Sequence, residues 1–103
     1  MSILVNFAIF PTDKGISVSE HVSKIIKMID ESYINYKLNP MGTVFETKSM
    51  SEALEVIHKA HQILAPYSER IYATASFDIR KDGKDRLEGK IKSIEDKIGR
   101  VKK

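Results

Sequence analysis

A tight turn near the middle of the chain, Asn39-Pro40-Met41-Gly42, is the feature that most constrains the fold. Asparagine favours the first position of a type I turn, proline fixes the backbone angle of the second, and glycine favours the fourth. The segments on either side, 36–38 and 43–46, are rich in residues that prefer extended backbone. The sequence therefore predicts an antiparallel hairpin at the middle of a small sheet, with a polar tip that is able to face a ligand.

A strand and a helix are predicted before the hairpin. Residues 3–10 contain no strand breaker and are apolar on both sides except for Asn6, which favours a central strand. Residues 17–20 form a capping box, Ser-Val-Ser-Glu, which is typical of a helix start. Apolar residues then recur at helical spacing and predict one buried stripe: Val22, Ile25, Ile26 and Ile29.

A helix and a strand are predicted after the hairpin, followed by a third helix. The capping pattern returns at 49–52 and predicts the start of the second helix. Its apolar face is expected to consist of Met50, Leu54, Ile57, His61 and Leu64, flanked by Ala53, Val56 and Ala60, whose small side chains allow a close approach to the sheet. Residues 70–79 alternate between apolar and polar, so we expect one face of this strand to meet a core. Asp85 is placed to cap the third helix, whose stripe is Leu87, Ile91, Ile94, Ile98 and Val101.

This order of elements, βαββαβ followed by one helix, predicts an α+β fold of the ferredoxin-like type. Two split βαβ units with right-handed crossovers give a four-stranded antiparallel sheet with two helices on one face. A length of 103 residues suits a single domain over residues 1–103.

Two helices leave the other face of such a sheet uncovered. That face is expected to carry apolar and small polar side chains of two strands: Leu4, Asn6, Ala8 and Phe10, beside Tyr72, Thr74, Ser76 and Asp78. Exposing this many apolar groups to water is unfavourable. We therefore expect a homodimer or homotetramer in which sheets or third helices pack together. A pocket between subunits would offer rings, hydroxyls and amides to a neutral or weakly cationic heteroaromatic ligand.

The composition and charge of the chain indicate its cellular compartment and the classes of partner that it is expected to bind. The chain has no cysteine, which fits a reducing compartment, and no apolar run approaches the ~20 residues of a membrane helix. The first residues lack the pattern of a signal peptide, so we expect a cytoplasmic protein without a membrane partner. The net charge is +3, and much of the excess lies in residues 97–103, where cations more often complement a helix end than bind nucleic acid or lipid.

Signals for catalysis and metal binding are weak. The sequence has no nucleophile motif and no phosphate-binding glycine loop, so we expect no enzyme activity and no cofactor. His58 and His61 are three residues apart, but no carboxylate or cysteine accompanies them at a metal-site spacing, so no metal site is predicted. The start of the first helix, residues 15–19, has free backbone N–H groups that could bind a phosphate. A segment of this kind more often serves only as a helix cap.

Binding of RNA is a known use of this type of sheet, but the signal here is also weak. RNA-binding sheets stack bases on two or three aromatic residues of the inner strands. Here the candidates are Phe7, Phe10 and Phe45, without a preceding Arg/Lys-Gly-aromatic pattern, so no nucleic acid partner is expected. Glu46 is more informative, because an unpaired carboxylate in a central strand is costly. Two partners for it remain open: a cation of a neighbouring subunit, or the ring nitrogen or amino group of a cationic ligand.

The hairpin also carries a resemblance. Residues 39–46, Asn-Pro-Met-Gly-Thr-Val-Phe-Glu, resemble the Pro-Met-Gly-Thr-x-apolar-Glu hairpin of the small thiamine-binding, YkoF-like family. Supporting matches are Pro11 and the segments 17–22, 60–61, 77–80 and 85–90. The chain departs from the family pattern at Thr47, where glycine is common, at Asn39, where histidine or threonine is common, and at Thr12-Asp13, which replace Ile-Gly.

The resemblance implies a ferredoxin-like subunit that forms dimers and then tetramers. It further implies binding of thiamine or its hydroxymethylpyrimidine moiety, without catalysis. The ligand residues carried over are Asn39 and Thr43 at the hairpin tip, Glu46 near a cationic ring, and Asn6 with Thr74 on the strand faces. Thr43 and Glu46 point to opposite faces of one strand, so one ligand contacts both only at a sheet edge or between subunits. The alternatives are a structural or regulatory interaction module without a ligand, and an RNA-binding sheet.

Overall fold

The structure is a computed structural model that describes residues 1–15 and 19–102, apart from the side chain of Lys90. Its elements follow the predicted order: β1 Ser2–Pro11, α1 Ser19–Glu31, β2 Asn35–Asn39, β3 Gly42–Thr47, α2 Met50–Leu64, β4 Ile71–Arg80 and α3 Arg86–Ile98. The four strands form one sheet in the order β2-β3-β1-β4, with all neighbours antiparallel. The ferredoxin-like α+β fold with an additional C-terminal helix is therefore confirmed.

The register of β1 fixes which side chains share a face. Asn6 lies opposite Val44 on one side and Ser76 on the other, so these three residues point to the same face. Phe7 lies opposite Thr43 and Ala75 on the helix side. The predicted composition of the face away from α1 and α2 is confirmed, and that face is called the open face below.

The hydrophobic core lies between β1, β3 and the helices α1 and α2. Phe45 has no exposed surface and meets the ring of Phe7 edge-on, with centroids 6.2 Å apart. The predicted stripe of α1 is confirmed, because Ile25 and Ile29 are buried and its other two members are half-buried. The capping box predicted at 17–20 cannot be compared, because residues 16–18 lie outside the described part of the chain.

The buried face of α2 is centred on the small residues that were predicted to flank the stripe, and of the stripe itself only Leu54 and His61 are wrongly placed. The residues that are buried are Ala53, Val56, Ala60 and Leu64, whereas Leu54 is 52% exposed and His61 is also exposed. The two alanines have short side chains, so the helix axis lies close to the sheet on that side. The predicted start of α2 is confirmed, because the Glu52 backbone N–H donates to Ser49 Oγ at 3.2 Å.

The expectation that one face of β4 meets a core is also wrong. Every residue of β4 after Ile71 is exposed, because α1 and α2 cover β1 and β3 and do not extend over this edge. On the open face, α3 packs against the first three strands, with Leu87 and Ile91 half-buried and Ile98 73% exposed. Among the described residues, no helix is long and apolar enough to cross a membrane.

Candidate functional site

A cavity of about 340 Å³ opens between α1, β1 and the β2–β3 hairpin. It lies within the size range of small-molecule pockets, roughly 300–1,000 Å³. Its walls are largely apolar, and we call it the hairpin pocket: residues 7–10 of β1, Val22, Ile25 and Ile26 of α1, and residues 38–43 of the hairpin. Two apolar side chains of the hairpin, Leu38 and Met41, are 61% and 87% exposed.

The turn that forms this wall is held by its own sequence. Asn39 Oδ1 accepts a hydrogen bond from the Met41 backbone N–H at 2.8 Å, which closes the loop between the two strands. Gly42 is needed because an added Cβ would lie 2.6 Å from the Phe7 carbonyl oxygen. The close contact of Gly42 with β1 therefore sets the position of the hairpin relative to the pocket.

Two of the sequence-predicted ligand residues, Asn39 and Thr43, line the hairpin pocket. Thr43 is 5% exposed, and its hydroxyl makes no hydrogen bond to any described residue. The amide nitrogen of Asn39 is likewise without a partner in the described part of the chain. The pocket thus offers an apolar cleft to which the hairpin contributes a hydroxyl and an amide, and a few polar groups in an apolar cleft are a common means of orienting a flat polar ring.

The other three predicted ligand residues lie on the open face. Asn6 and Thr74 are exposed there, on neighbouring strands, and Glu46 is on the same side of β3. The structure therefore brings Asn39 and Thr43 together and separates them from Asn6, Glu46 and Thr74. The expectation that Thr43 and Glu46 point to opposite faces is confirmed.

Glu46 is held by three donors within the subunit. Ser2 Oγ donates to Glu46 Oε2 at 2.5 Å, and the backbone N–H groups of Arg86 and Leu87 donate at 3.1 and 3.2 Å. The carboxylate therefore caps the N-terminus of α3. Asp85, which the sequence favoured as this cap, has a left-handed backbone (φ 52°) and makes no side-chain capping bond, so that expectation is wrong.

Arg86 completes this cluster from the first turn of α3. Its guanidinium donates to Ser2 Oγ at 3.0 Å and to the carbonyl oxygens of Ser2 and Asp78 at 2.8 and 2.5 Å. It also pairs with the Asp78 carboxylate at 3.0 Å, and its side chain is only 11% exposed. We call Ser2, Glu46, Asp78 and Arg86 the α3 anchor, since they fix the helix to three strands of the sheet.

The electrostatics of the α3 anchor keep Glu46 ionised. Partial burial acts to raise the pKa of Glu46, but the hydrogen bonds from Ser2, Arg86 and Leu87 and the nearby guanidinium outweigh it, so the pKa lies below its ordinary value. Sequence reasoning missed Ser2 and Arg86, which lie 84 residues apart. The only signal was Glu46 itself, a carboxylate in a central strand that required a partner.

Metal ligation finds no support in the described residues, where no group of three or more carboxylates, histidines and cysteines converges. His58 and His61 are both exposed on α2. His21 instead packs against the ring of Tyr67, with centroids 5.6 Å apart.

The fold and the hairpin pocket together define a small ferredoxin-like α+β protein with an apolar cleft beside its central hairpin. The family model described as "Thiamine-binding protein" matches residues 5–95. The chain therefore belongs to the thiamine-binding protein family.

Relatives support this assignment along nearly the whole chain. The UPF0045 protein MJ1052 of Methanocaldococcus jannaschii is 32% identical over 92 residues, covering 89% of this chain and 91% of that protein. The crystal structure of MJ1052 superposes with a TM-score of 0.80 at 31% identity and covers 90% of this chain and 95% of that one. YqgV of Bacillus subtilis is 34% identical over 85 residues, covering 76% of this chain and 79% of YqgV.

A more distant structure, TM0486 of Thermotoga maritima, has a TM-score of 0.78 at 17% identity and covers 91% of this chain and 99% of that one. At this identity, the similarity indicates a shared fold.

Proposed function

We propose that this protein binds thiamine, or its hydroxymethylpyrimidine moiety, in the hairpin pocket and does not transform it. Membership of the thiamine-binding family supports the class of ligand. The observation that carries the location is the pocket itself: an apolar cleft of about 340 Å³ whose lining includes Asn39 and Thr43. An aminopyrimidine ring matches this lining, since its faces are apolar and its edge both donates and accepts hydrogen bonds.

The polar side chains that line the hairpin pocket are suited to orient such a ring. The Thr43 hydroxyl both donates and accepts, and the Asn39 amide nitrogen donates. We infer that Thr43 bonds to the ring edge while the walls from β1 and α1 contact its faces. Asn6, Glu46 and Thr74 lie on the open face, so in this proposal they meet the ligand only where a second subunit brings that face to a pocket.

Titration calorimetry of the wild-type protein with thiamine and with hydroxymethylpyrimidine tests the proposal. We expect saturable binding of at least one of them. Thr43→Val keeps the shape of the side chain and removes the hydroxyl, so we expect an affinity about 5-fold to 20-fold lower, as for the loss of one buried hydrogen bond. Ser51→Ala is the matched control, because Ser51 is exposed on α2 and remote from the pocket, and it leaves the affinity unchanged.

The proposal is contradicted if the protein binds neither thiamine nor hydroxymethylpyrimidine. It is also contradicted if wild type and Thr43→Val bind the ligand with equal affinity. Titration with a short single-stranded RNA in the same assay tests the alternative hypothesis of an RNA-binding sheet. Binding of RNA that falls steeply with salt, with no binding of thiamine, favours a nucleic acid interface over the pocket.

We further propose that the protein is a homo-oligomer in which the open face is covered by a second subunit. The support is apolar surface that one subunit leaves uncovered: Phe10 and Tyr72 on the sheet are 38% and 55% exposed, and Ile94 and Ile98 on α3 are 41% and 73% exposed. Packing α3 of one subunit on the open face of another removes both surfaces from water. A protein that forms this oligomer and binds none of the ligands above is the interaction module of the alternative hypothesis.

A further inference from the structure

The walls of the hairpin pocket carry no charge. Within the described part of the chain, they contain no aspartate, glutamate, lysine, arginine or histidine, and their polar side chains are those of Asn39 and Thr43. Three further cavities on the same surface each include both acidic and basic residues. The uncharged lining is therefore a feature of this pocket and not of the protein surface in general.

The basic side chains that neighbour these walls in sequence are engaged elsewhere. Lys24 Nζ lies 4.5 Å from the centroid of the Tyr67 ring. Lys27 pairs with Glu31 at 3.9 Å along α1. Lys37 of β2 pairs with a residue of α3, which packs on the open face. None of these lysines is a wall residue, so in the described structure the pocket offers no ammonium group to a phosphate.

The neighbouring carboxylates are also outside the walls. Asp30 follows Ile26 by about one helical turn, and its Oδ1 accepts a hydrogen bond from the Tyr36 hydroxyl at 3.0 Å. Glu20 precedes Val22 by two residues, which places it on the other side of α1. Among the described residues, the walls therefore offer a cationic ligand no ion pair.

Aromatic rings do not take the place of a carboxylate here, although the face of a ring attracts a cation. The ring of Phe10 packs against that of Tyr72 on the open face, with centroids 5.6 Å apart. Phe7 is only 3% exposed, because it packs edge-on against Phe45 in the core. A cation that enters the pocket therefore loses hydration without a compensating partner, which is costly.

We propose that the hairpin pocket selects uncharged heteroaromatic rings over charged ones, an inference that rests on the function proposed above. Hydroxymethylpyrimidine is uncharged at neutral pH, whereas the thiazolium ring gives thiamine a permanent positive charge. A phosphate ester is close to doubly negative at this pH. The affinity is therefore highest for hydroxymethylpyrimidine, and the natural ligand is the free pyrimidine or a similar neutral ring.

Thiamine is second in this order because it contains the same pyrimidine ring. Its thiazolium then lies beside the exposed apolar side chains of Leu38 and Met41, which replace none of the water that the cation loses. Hydroxymethylpyrimidine phosphate is last, because a dianion is the most strongly hydrated of the three ligands and the described walls hold no cation.

Titration calorimetry of the wild-type protein with these three compounds tests the order. We expect hydroxymethylpyrimidine to bind at least roughly tenfold more tightly than thiamine, and its phosphate to bind most weakly. Equal or tighter binding of either charged compound overturns this inference and leaves the proposed function intact. Binding of none of them overturns the proposed function as well, so the two failures are distinguishable.

A charge placed on the pocket wall tests the physical cause. Leu38 lies opposite Thr43 in the β2–β3 pair and is 61% exposed, so a charged side chain at this position lies beside the ligand without entering the core. Leu38→Gln is the matched control, because it has the shape of Leu38→Glu without the charge. We expect the affinity for thiamine relative to hydroxymethylpyrimidine to be about 3-fold to 10-fold higher in Leu38→Glu than in Leu38→Gln.

Leu38→Lys is expected to act in the opposite sense and to favour hydroxymethylpyrimidine phosphate by a similar factor over Leu38→Gln. The comparison uses ratios of affinities within each variant, so a loss of affinity common to all ligands does not change the result. Ratios that are equal in Leu38→Glu, Leu38→Gln and Leu38→Lys overturn the inference that charge decides selection in the hairpin pocket.

Discussion

Replacing Glu46 by glutamine lowers the free energy of unfolding by about 2–5 kcal/mol at neutral pH, as measured by urea denaturation. The loss combines that of a helix cap, roughly 0.5–2 kcal/mol, with that of a charge-assisted hydrogen bond from Ser2, roughly 1.5–3 kcal/mol. Glutamine keeps one acceptor oxygen, but its NH2 group replaces the other and then faces one of the two backbone N–H groups, that of Arg86 or that of Leu87, which is itself a donor. The guanidinium of Arg86 also loses its favourable charge interaction with Glu46, although it keeps the ion pair with Asp78.

The cost of Glu46→Gln depends on pH in a defined direction. The pKa of Glu46 is lower in the folded protein than in the unfolded chain, so its ionisation stabilises the fold fully above its unfolded pKa. That stabilisation disappears as the pH falls through the folded pKa. We therefore expect the difference between wild type and Glu46→Gln to be largest near neutral pH and to shrink below the ordinary glutamate pKa.

The matched control is Glu88→Gln, which breaks the ion pair of Glu88 with Lys37 at 2.8 Å. The Glu88 side chain is 70% exposed, and exposed pairs contribute about 0–1 kcal/mol. Equal costs for the two substitutions contradict the role of the α3 anchor. So does a cost of Glu46→Gln that increases toward acid pH.

Replacing Gly42 by alanine lowers the free energy of unfolding by about 1–3 kcal/mol, which is the usual cost of overpacking. The new Cβ lies 2.6 Å from the Phe7 carbonyl oxygen and 3.3 Å from Ala8 Cβ, so β3 must move away from β1 at the hairpin. Both strands form walls of the hairpin pocket. We therefore also expect thiamine affinity to fall by more than it does in Thr43→Val.

Gly89→Ala provides a control of opposite sign. Gly89 lies inside α3, and an added Cβ meets nothing within 4 Å. Alanine favours a helix interior by roughly 0.5–1 kcal/mol over glycine, so this variant is expected to be more stable than wild type. Denaturation and calorimetry on both variants separate the clash at Gly42 from a general effect of glycine removal. Unchanged affinity in a destabilised Gly42→Ala protein places the ligand elsewhere.

Local sequence patterns predicted the order of the elements and the sheet topology. The turn at Asn39-Pro40-Met41-Gly42 predicted the hairpin, and apolar spacing predicted α1. The placement of β1 beside β4 followed from the order of the elements and the ferredoxin-like topology. These features depend on residues that are close in sequence or on the alternation of side chains along a strand, and both patterns can be read from a single sequence. The resemblance of the hairpin to the thiamine-binding family was confirmed over residues 5–95.

The errors arose where tertiary packing decides burial. The pattern of β4 alternates well, yet the strand is exposed because the two covering helices sit over β1 and β3. On α2, the choice between the stripe of larger side chains and that containing Ala53 and Ala60 depends on how closely the helix approaches the sheet. The cap of α3 comes from Glu46, 40 residues before Arg86, and short-range capping rules do not reach that far.

The candidate site was predicted in part. Asn39 and Thr43 were chosen from the hairpin, and both line the hairpin pocket. The α1 wall of the pocket was not foreseen, because Val22, Ile25 and Ile26 look like ordinary core residues in the sequence. The ligand roles of Asn6, Glu46 and Thr74 on the open face stay predictions, and a second subunit is required for them to share a ligand with the pocket.

The most direct test of the central claim is a nitrogen–proton correlation spectrum of the isotope-labelled wild-type protein titrated with thiamine. Binding in the hairpin pocket predicts the largest shift changes at residues 39–43, with further changes at residues 7–10 of β1 and 22–26 of α1. Changes confined to the open face around Asn6, Glu46 and Thr74, with the hairpin unaffected, would contradict the location proposed here.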